Sequence, residues 1–172
     1  MTAVPIVDLQ LITTGQGAPG QAELEAWVGA VLARFPQEAR HEVTVRIVDA
    51  EEGQALNRDY RGRDKPTNVL SFPFECPPGV PLPLLGDLVL CHPVVIREAS
   101  EQTKRVEDHY AHLVVHGMLH LLGHDHLEEE EAEAMEQLER EILSDFAIAD
   151  PYATPPGSDE QQDDSKDERH DR

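Results

Sequence analysis

Leu84-Leu-Gly-Asp87-Leu-Val-Leu-Cys91, followed at once by His92-Pro93, decides how the rest of the chain is read. Eight residues in which Asp87 alone is charged are too few for a buried helix and predict a strand buried on both faces except at Asp87. Pro93 is tolerated in the first helical position, where no hydrogen bond needs its missing N–H, so a helix is expected to open there. Upstream, Val69 to Phe74 is a second apolar run. Its Pro73 cannot donate to a ladder, which places that strand at a sheet edge. The intervening Cys76 to Pro83 holds four prolines and is expected to be a loop.

Further upstream, Val43, Val45 and Ile47 alternate with Thr44 and Arg46, and Val7, Leu9 and Leu11 recur with the same period between Val4 and Ile12. Both patterns predict strands. Leu24, Trp27, Val28, Val31, Leu32 and Phe35 recur at helical spacing and end at Pro36, and Glu51 to Tyr60 is expected to form a short helix. Beyond the 84–91 strand come a long helix from Val106 to Leu122, closed by Gly123, and a last one from Glu128 to Ala147. The last helix turns Met135, Leu138, Ile142, Leu143 and Phe146 inward, and the acids Glu128 to Glu131 suit the positive end of its dipole. Four strands and five helices make an α+β domain over residues 1–152. From Thr154 onward the sequence is polar without period, so 153–172 is read as an acidic, disordered tail.

The 172 residues carry a formal net charge of -20. The segment 152–172 has seven acids against three bases, so the body itself still carries -16. Such a charge opposes non-specific attraction to nucleic acid, and no DNA partner is expected. No apolar run is long enough to cross a membrane, and no charged-then-apolar leader opens the sequence. Two cysteines, Cys76 and Cys91, are too few for a disulfide scaffold. The expected setting is the cytoplasm.

Six of the nine histidines fall between His109 and His126. His116 and His120 are four apart on the long helix, one above the other, with Cβ atoms ~5–6 Å apart. Two imidazoles at that separation can reach one ion at the ~2.0–2.1 Å Zn–N distance. Gly123 ends the helix and turns the chain back, and His126 just beyond can supply a third nitrogen. Three neutral ligands leave a fourth position open, where a water's pKa can fall to about 7. This predicts one catalytic zinc per chain, at the end of a central helix. The bland alternatives are solvated or merely buried histidines, and a structural zinc closed by His124, Asp125 or Cys91. A zincin peptidase places Glu directly after the first His; here that residue is Gly117, which weighs against a peptidase. His112, one turn before His116, either supports the ligands or is simply buried and hydrogen-bonded; His109 and His124 are expected to be exposed.

Against the acidic body, Arg58-Asp-Tyr-Arg61-Gly-Arg63-Asp-Lys65-Pro-Thr-Asn68 is locally positive. Guanidinium is well shaped for bidentate phosphate contact, so Arg61, Arg63 and Lys65 are candidate phosphate and RNA contacts, although a charged loop by itself more often only solvates a surface. A hydroxide-generating metal beside an arginine suits phosphodiester cleavage.

The stretches Leu56-Asn57, Tyr60-Arg61-Gly-Arg63-Asp-Lys65-Pro66-Thr67-Asn68-Val69-Leu70-Ser71-Phe72-Pro73-Phe74, Leu85-Gly86-Asp87-Leu88 and His116-Gly-x-Leu-His120-Leu-Leu-Gly-x-Asp125-His126 together resemble the bacterial YbeY family. The resemblance spans nearly the whole folded body, to about Tyr152. It implies helices packed around a small mixed four-stranded sheet, and an endoribonuclease acting on single-stranded RNA in 16S rRNA 3′-end maturation and ribosome quality control. It implies zinc ligands at His116, His120 and His126 and a required arginine at Arg61, with His116 and Arg61 as the catalytic pair. Ribosomal proteins or assembly factors are the implied partners. Where the family commonly has Tyr before Asp125, this chain has His124. No general base is identified: Asp87 is a candidate for that role or for supporting a ligand, and Asp125 is a further supporting candidate. Attack by an RNA 2′-hydroxyl is equally compatible with the sequence, and a non-catalytic assembly factor with a structural zinc is the competing reading.

Overall fold

The computed structural model describes residues 5–13, 16–62, 67–74, 79, 83–123 and 129–148. The elements are β1 (Ile6–Leu11), α1 (Gln21–Leu32), β2 (Glu42–Val48), α2 (Ala50–Arg61), β3 (Val69–Pro73), β4 (Leu84–Cys91), α3 (His92–Glu101), α4 (Val106–Leu121) and α5 (Glu129–Ser144). Two compact units divide the chain, residues 1–122 and 123–172.

The first unit is built on a mixed sheet of order β1-β2-β4-β3. β1 pairs parallel with β2 and β2 parallel with β4, while β3 runs antiparallel to β4 on the outside. The apolar 84–91 run therefore lies between two neighbours, and Leu85 and Leu88 through Cys91 are all buried while Asp87 is exposed. Pro73 lies in an edge strand, where its missing N–H breaks no internal ladder.

Side chains alternate across the sheet, and the register gives each face its rows. Val43, Val45 and Ile47 of β2 stand beside Gly86, Leu88 and Leu90 of β4. On the other face Thr44, Arg46 and Val48 stand beside Asp87, Val89 and Cys91. α4 packs on the Leu88 face, so closely that a Cβ on Gly117 would lie 2.7 Å from Leu88 Cδ2 and 3.3 Å from Ser71 Oγ. α2 packs on the opposite face, with Gly53 against Cys91 and Val48 and with Leu56 against the cluster of Val48, Leu70 and Val89.

α4 also packs against α1 and α3, and this explains its composition. Tyr110, Ala111, Leu113, Val114, Val115, Met118, Leu119 and Leu121 are all buried. Each large apolar side chain buried in this way contributes roughly 1.5–3 kcal/mol. The helix ends at Leu121, one residue before the expected Leu122, and Gly123 just beyond takes φ +97, a left-handed conformation that glycine adopts without a Cβ penalty.

Some boundaries differ from the sequence reading. α1 stops at Leu32 rather than at Pro36, its last carbonyls engaged by the N–H groups of Ala33, Arg34 and Phe35. α3 begins at His92, so Pro93 occupies its second position, where the N–H is equally dispensable. In the second unit, α5 buries Met135, Ile142 and Leu143, together with Glu139, which its charge had not marked as an inward residue. No helix among the described residues is long and apolar enough to cross a membrane.

Candidate metal centre

His116 and His120 are brought together by one turn of α4. Their Nε2 atoms lie 3.1 Å apart, and the rings meet edge to face with centroids 4.7 Å apart. His116 is buried and His120 half-buried, so the pair sits where the core meets solvent. Two neutral imidazoles place at most one N–H between facing nitrogens; a shared cation would use both lone pairs. Tetrahedral zinc with Zn–N of ~2.0–2.1 Å sets ligand nitrogens about 3.3 Å apart, close to the separation observed. The pair thus fits the ion as two of its ligands. Among the described residues no third His, Cys, Asp or Glu joins the pair. His126, the third ligand expected from the sequence, lies outside the described residues, as do His124 and Asp125.

The remaining α4 histidines extend the same helical face. His112 is half-buried between His109 and His116, with ring centroids 6.1 and 6.3 Å away. His109 corrects the expectation of exposure: only 3% of it is accessible, and its Nε2 donates to Glu98 Oε1 at 2.8 Å. The periodicity of α4 alone could not reveal that α3 covers this face and brings a carboxylate to it.

Asp87 is exposed on β4, beside Thr44 of β2 and Phe72 of β3. Since α4 covers the face of its neighbour Leu88, alternation directs Asp87 to the opposite face. The sheet therefore separates it from His116 and His120, and it does not stand behind those two rings. Arg61 is the last residue of α2, and its side chain lies outside the described residues, together with Arg63 and Lys65.

A second buried polar group escaped the sequence reading altogether. His92, at the start of α3, donates from Nε2 to the Gln16 carbonyl at 2.9 Å, because a carbonyl can only accept. The ring's other nitrogen, Nδ1, then accepts from the Tyr110 hydroxyl at 2.5 Å. Burial, with a smaller contribution from Cys91, pushes the Tyr110 phenol well above the usual tyrosine range. No local pattern around His92 or Tyr110 signals this pairing across 18 residues.

An α+β frame of this order defines a class already represented among solved structures. The solution structure of TM1509 from Thermotoga maritima is similar, with a TM-score of 0.51 and 26% identity, over 87% of this chain and 98% of that one. The Endoribonuclease YbeY family matches residues 14–147. An Endoribonuclease YbeY from Chromohalobacter salexigens is 66% identical over 151 residues, which is 87% of this chain and 98% of the relative. The chain belongs to the YbeY endoribonuclease family. It is accordingly a hydrolase of RNA phosphodiester bonds.

Proposed function

We propose that the chain is a zinc-dependent, single-strand-specific endoribonuclease that acts in 16S rRNA 3′-end maturation and ribosome quality control. The observation that carries the metal reading is the convergence of the His116 and His120 Nε2 atoms at 3.1 Å. His126 completes the ligand set by sequence spacing and family resemblance, and residues 1–152 act as one catalytic domain followed by the acidic tail 153–172. Zinc, when bound, supplies Lewis acidity and activated water near neutral pH. Arg61 holds and neutralises the scissile phosphate, and Arg63 and Lys65 extend the contact along the RNA backbone. The helix aligns both imidazoles one turn apart, with His116 fixed by burial. Asp125 and His112 are the residues proposed to support the ligands. Asp87, across the sheet from His116 and His120, supports neither of these two.

The net charge of -20 makes general RNA affinity modest. Ribosomal proteins or assembly factors in the cytoplasm then supply the targeting. The test compares cleavage of a single-stranded RNA oligonucleotide, its duplex and the corresponding DNA by freshly purified protein. Chelator treatment, zinc readdition, Arg61→Ala and His116→Ala complete the assay. Selective, chelator-sensitive RNA cleavage lost in both variants supports the reading. Full cleavage by an Arg61→Ala protein that still binds RNA removes the phosphate role. Mapping 16S 3′ ends in cells depleted of the protein tests the biological assignment.

A further inference from the structure

Three elements meet at one carboxylate oxygen. Glu98 Oε1, on α3, accepts from His109 Nε2 of α4 at 2.8 Å and from Asn68 Nδ2, at the entry to β3, at 3.1 Å. Asn68 is itself fixed: its Oδ1 accepts the Val69 N–H at 2.6 Å and its carbonyl accepts the Cys91 N–H at 3.0 Å. The junction is largely dry, with side-chain exposures of 3% for His109 and 15% for Glu98.

The arrangement is costly for mere packing. While Nε2 of His109 donates to Glu98, its buried Nδ1 has no hydrogen-bond partner among the described residues. A leucine would fill the space with no such penalty. What the polar group adds is direction, because a shared oxygen fixes two side chains from different elements at once. His109 lies on the face of α4 that continues through His112 to His116 and His120. Asn68 immediately precedes β3, the strand that follows the Arg61 segment.

We propose that Glu98 is a positioning residue for RNA cleavage: by holding His109 and Asn68 on one oxygen it fixes the histidine-bearing helix against β3. This rests on the reading of His116, His120 and Arg61 given above. Glu98 touches neither substrate nor metal. Its loss shifts the relative placement of the reacting groups, and a shift of an ångström lowers rate far more than affinity.

The test uses the full, zinc-loaded chain and a fluorescent single-stranded RNA oligonucleotide, well below each variant's melting temperature. Rates are normalised to folded, metal-containing protein. Glu98→Ala is expected to lower kcat about tenfold or more with KM changed less than about twofold. Glu98→Gln keeps an acceptor at the same place and is expected to recover most of the rate. Should Glu98→Ala fail to fold, Asn68→Ala and His109→Leu each remove one arm. Each is expected to lower kcat, and the pair to lower it by less than the product because they share one partner. Arg61→Ala and His116→Ala are measured alongside. If those two are inactive while Glu98→Ala, or both single-arm variants, keep the wild-type kcat, the inference falls and the site reading stands. If Glu98→Gln is no better than Glu98→Ala, the acceptor role is overturned. If Arg61→Ala and His116→Ala remain fully active, the site reading itself fails and the inference with it.

Discussion

Gly117 lies so close to Leu88 that a Cβ on it would stand 2.7 Å from Leu88 Cδ2 and 3.3 Å from Ser71 Oγ. This contact seats α4 on the sheet immediately after His116. It also explains why the residue that carries the general base in zincin peptidases is glycine here: a glutamate would have to enter the sheet. Gly117→Ala sets an overpacking cost of about 1–3 kcal/mol against the roughly 1 kcal/mol that alanine gains over glycine in a helix interior, so the protein should lose up to about 2 kcal/mol. Denaturant unfolding measures it, and Leu88→Ala in the same chain should recover part of the loss by opening the facing space.

The paired Nε2 atoms predict that metal binding and stability are linked. Chelation should lower the melting temperature of the wild type, because the ion binds only the folded state. His116→Ala and His120→Ala should each abolish that response and lower cleavage by about a hundredfold or more through loss of the metal's activation of water. Metal analysis of the purified variants, beside melting curves with and without chelator, checks both parts. A wild-type melting temperature indifferent to chelator and zinc would contradict the linkage.

Tyr110 makes a prediction about alkaline pH. Its hydroxyl donates to His92 Nδ1, and burial raises its pKa. The folded state therefore holds the phenolic proton after the unfolded chain has begun to lose it. Its contribution is fully present below the usual tyrosine value of about 10 and is lost as pH climbs above it toward the raised folded value. Burial raises the Cys91 thiol in the same direction. Tyr110→Phe should cost about 1–2 kcal/mol near neutrality, since the His92 acceptor loses its donor. The variant should then lose less stability than the wild type as pH rises past about 10. Unfolding free energies across that range test the sign.

If Arg61, Arg63 and Lys65 contact RNA phosphates, binding to a single strand must weaken with salt. Each lost contact should reduce the slope of log K against log salt by about 0.7. Lys65→Ala should show that change with kcat nearly intact, whereas Arg61→Ala should lose both affinity and rate. Binding titrations at four or five salt concentrations give the slopes. A slope unchanged in Arg61→Ala, Arg63→Ala and Lys65→Ala would remove this segment from the RNA path.

Sequence alone determined most of the element order. The 84–91 run, apolar on both faces, could only be satisfied between neighbouring strands, and Pro73 could only be tolerated at an edge; both follow from backbone hydrogen bonding within a few residues. The His-x3-His spacing likewise fixed the pairing of His116 with His120, because helical geometry sets which side chains share a face. Tertiary structure decided what sequence spacing cannot encode. That β4 lies between a parallel and an antiparallel neighbour depends on contacts among distant segments. So does the placement of Asp87 across the sheet from His116 and His120. His109 looked like a solvent-facing residue until α3 covered it with Glu98, and His92 gave no sign of its bond to Tyr110. A helical period records which residues share a face. Which partner covers that face, and which buried polar groups find one another there, is settled only when the remote parts of the chain pack together.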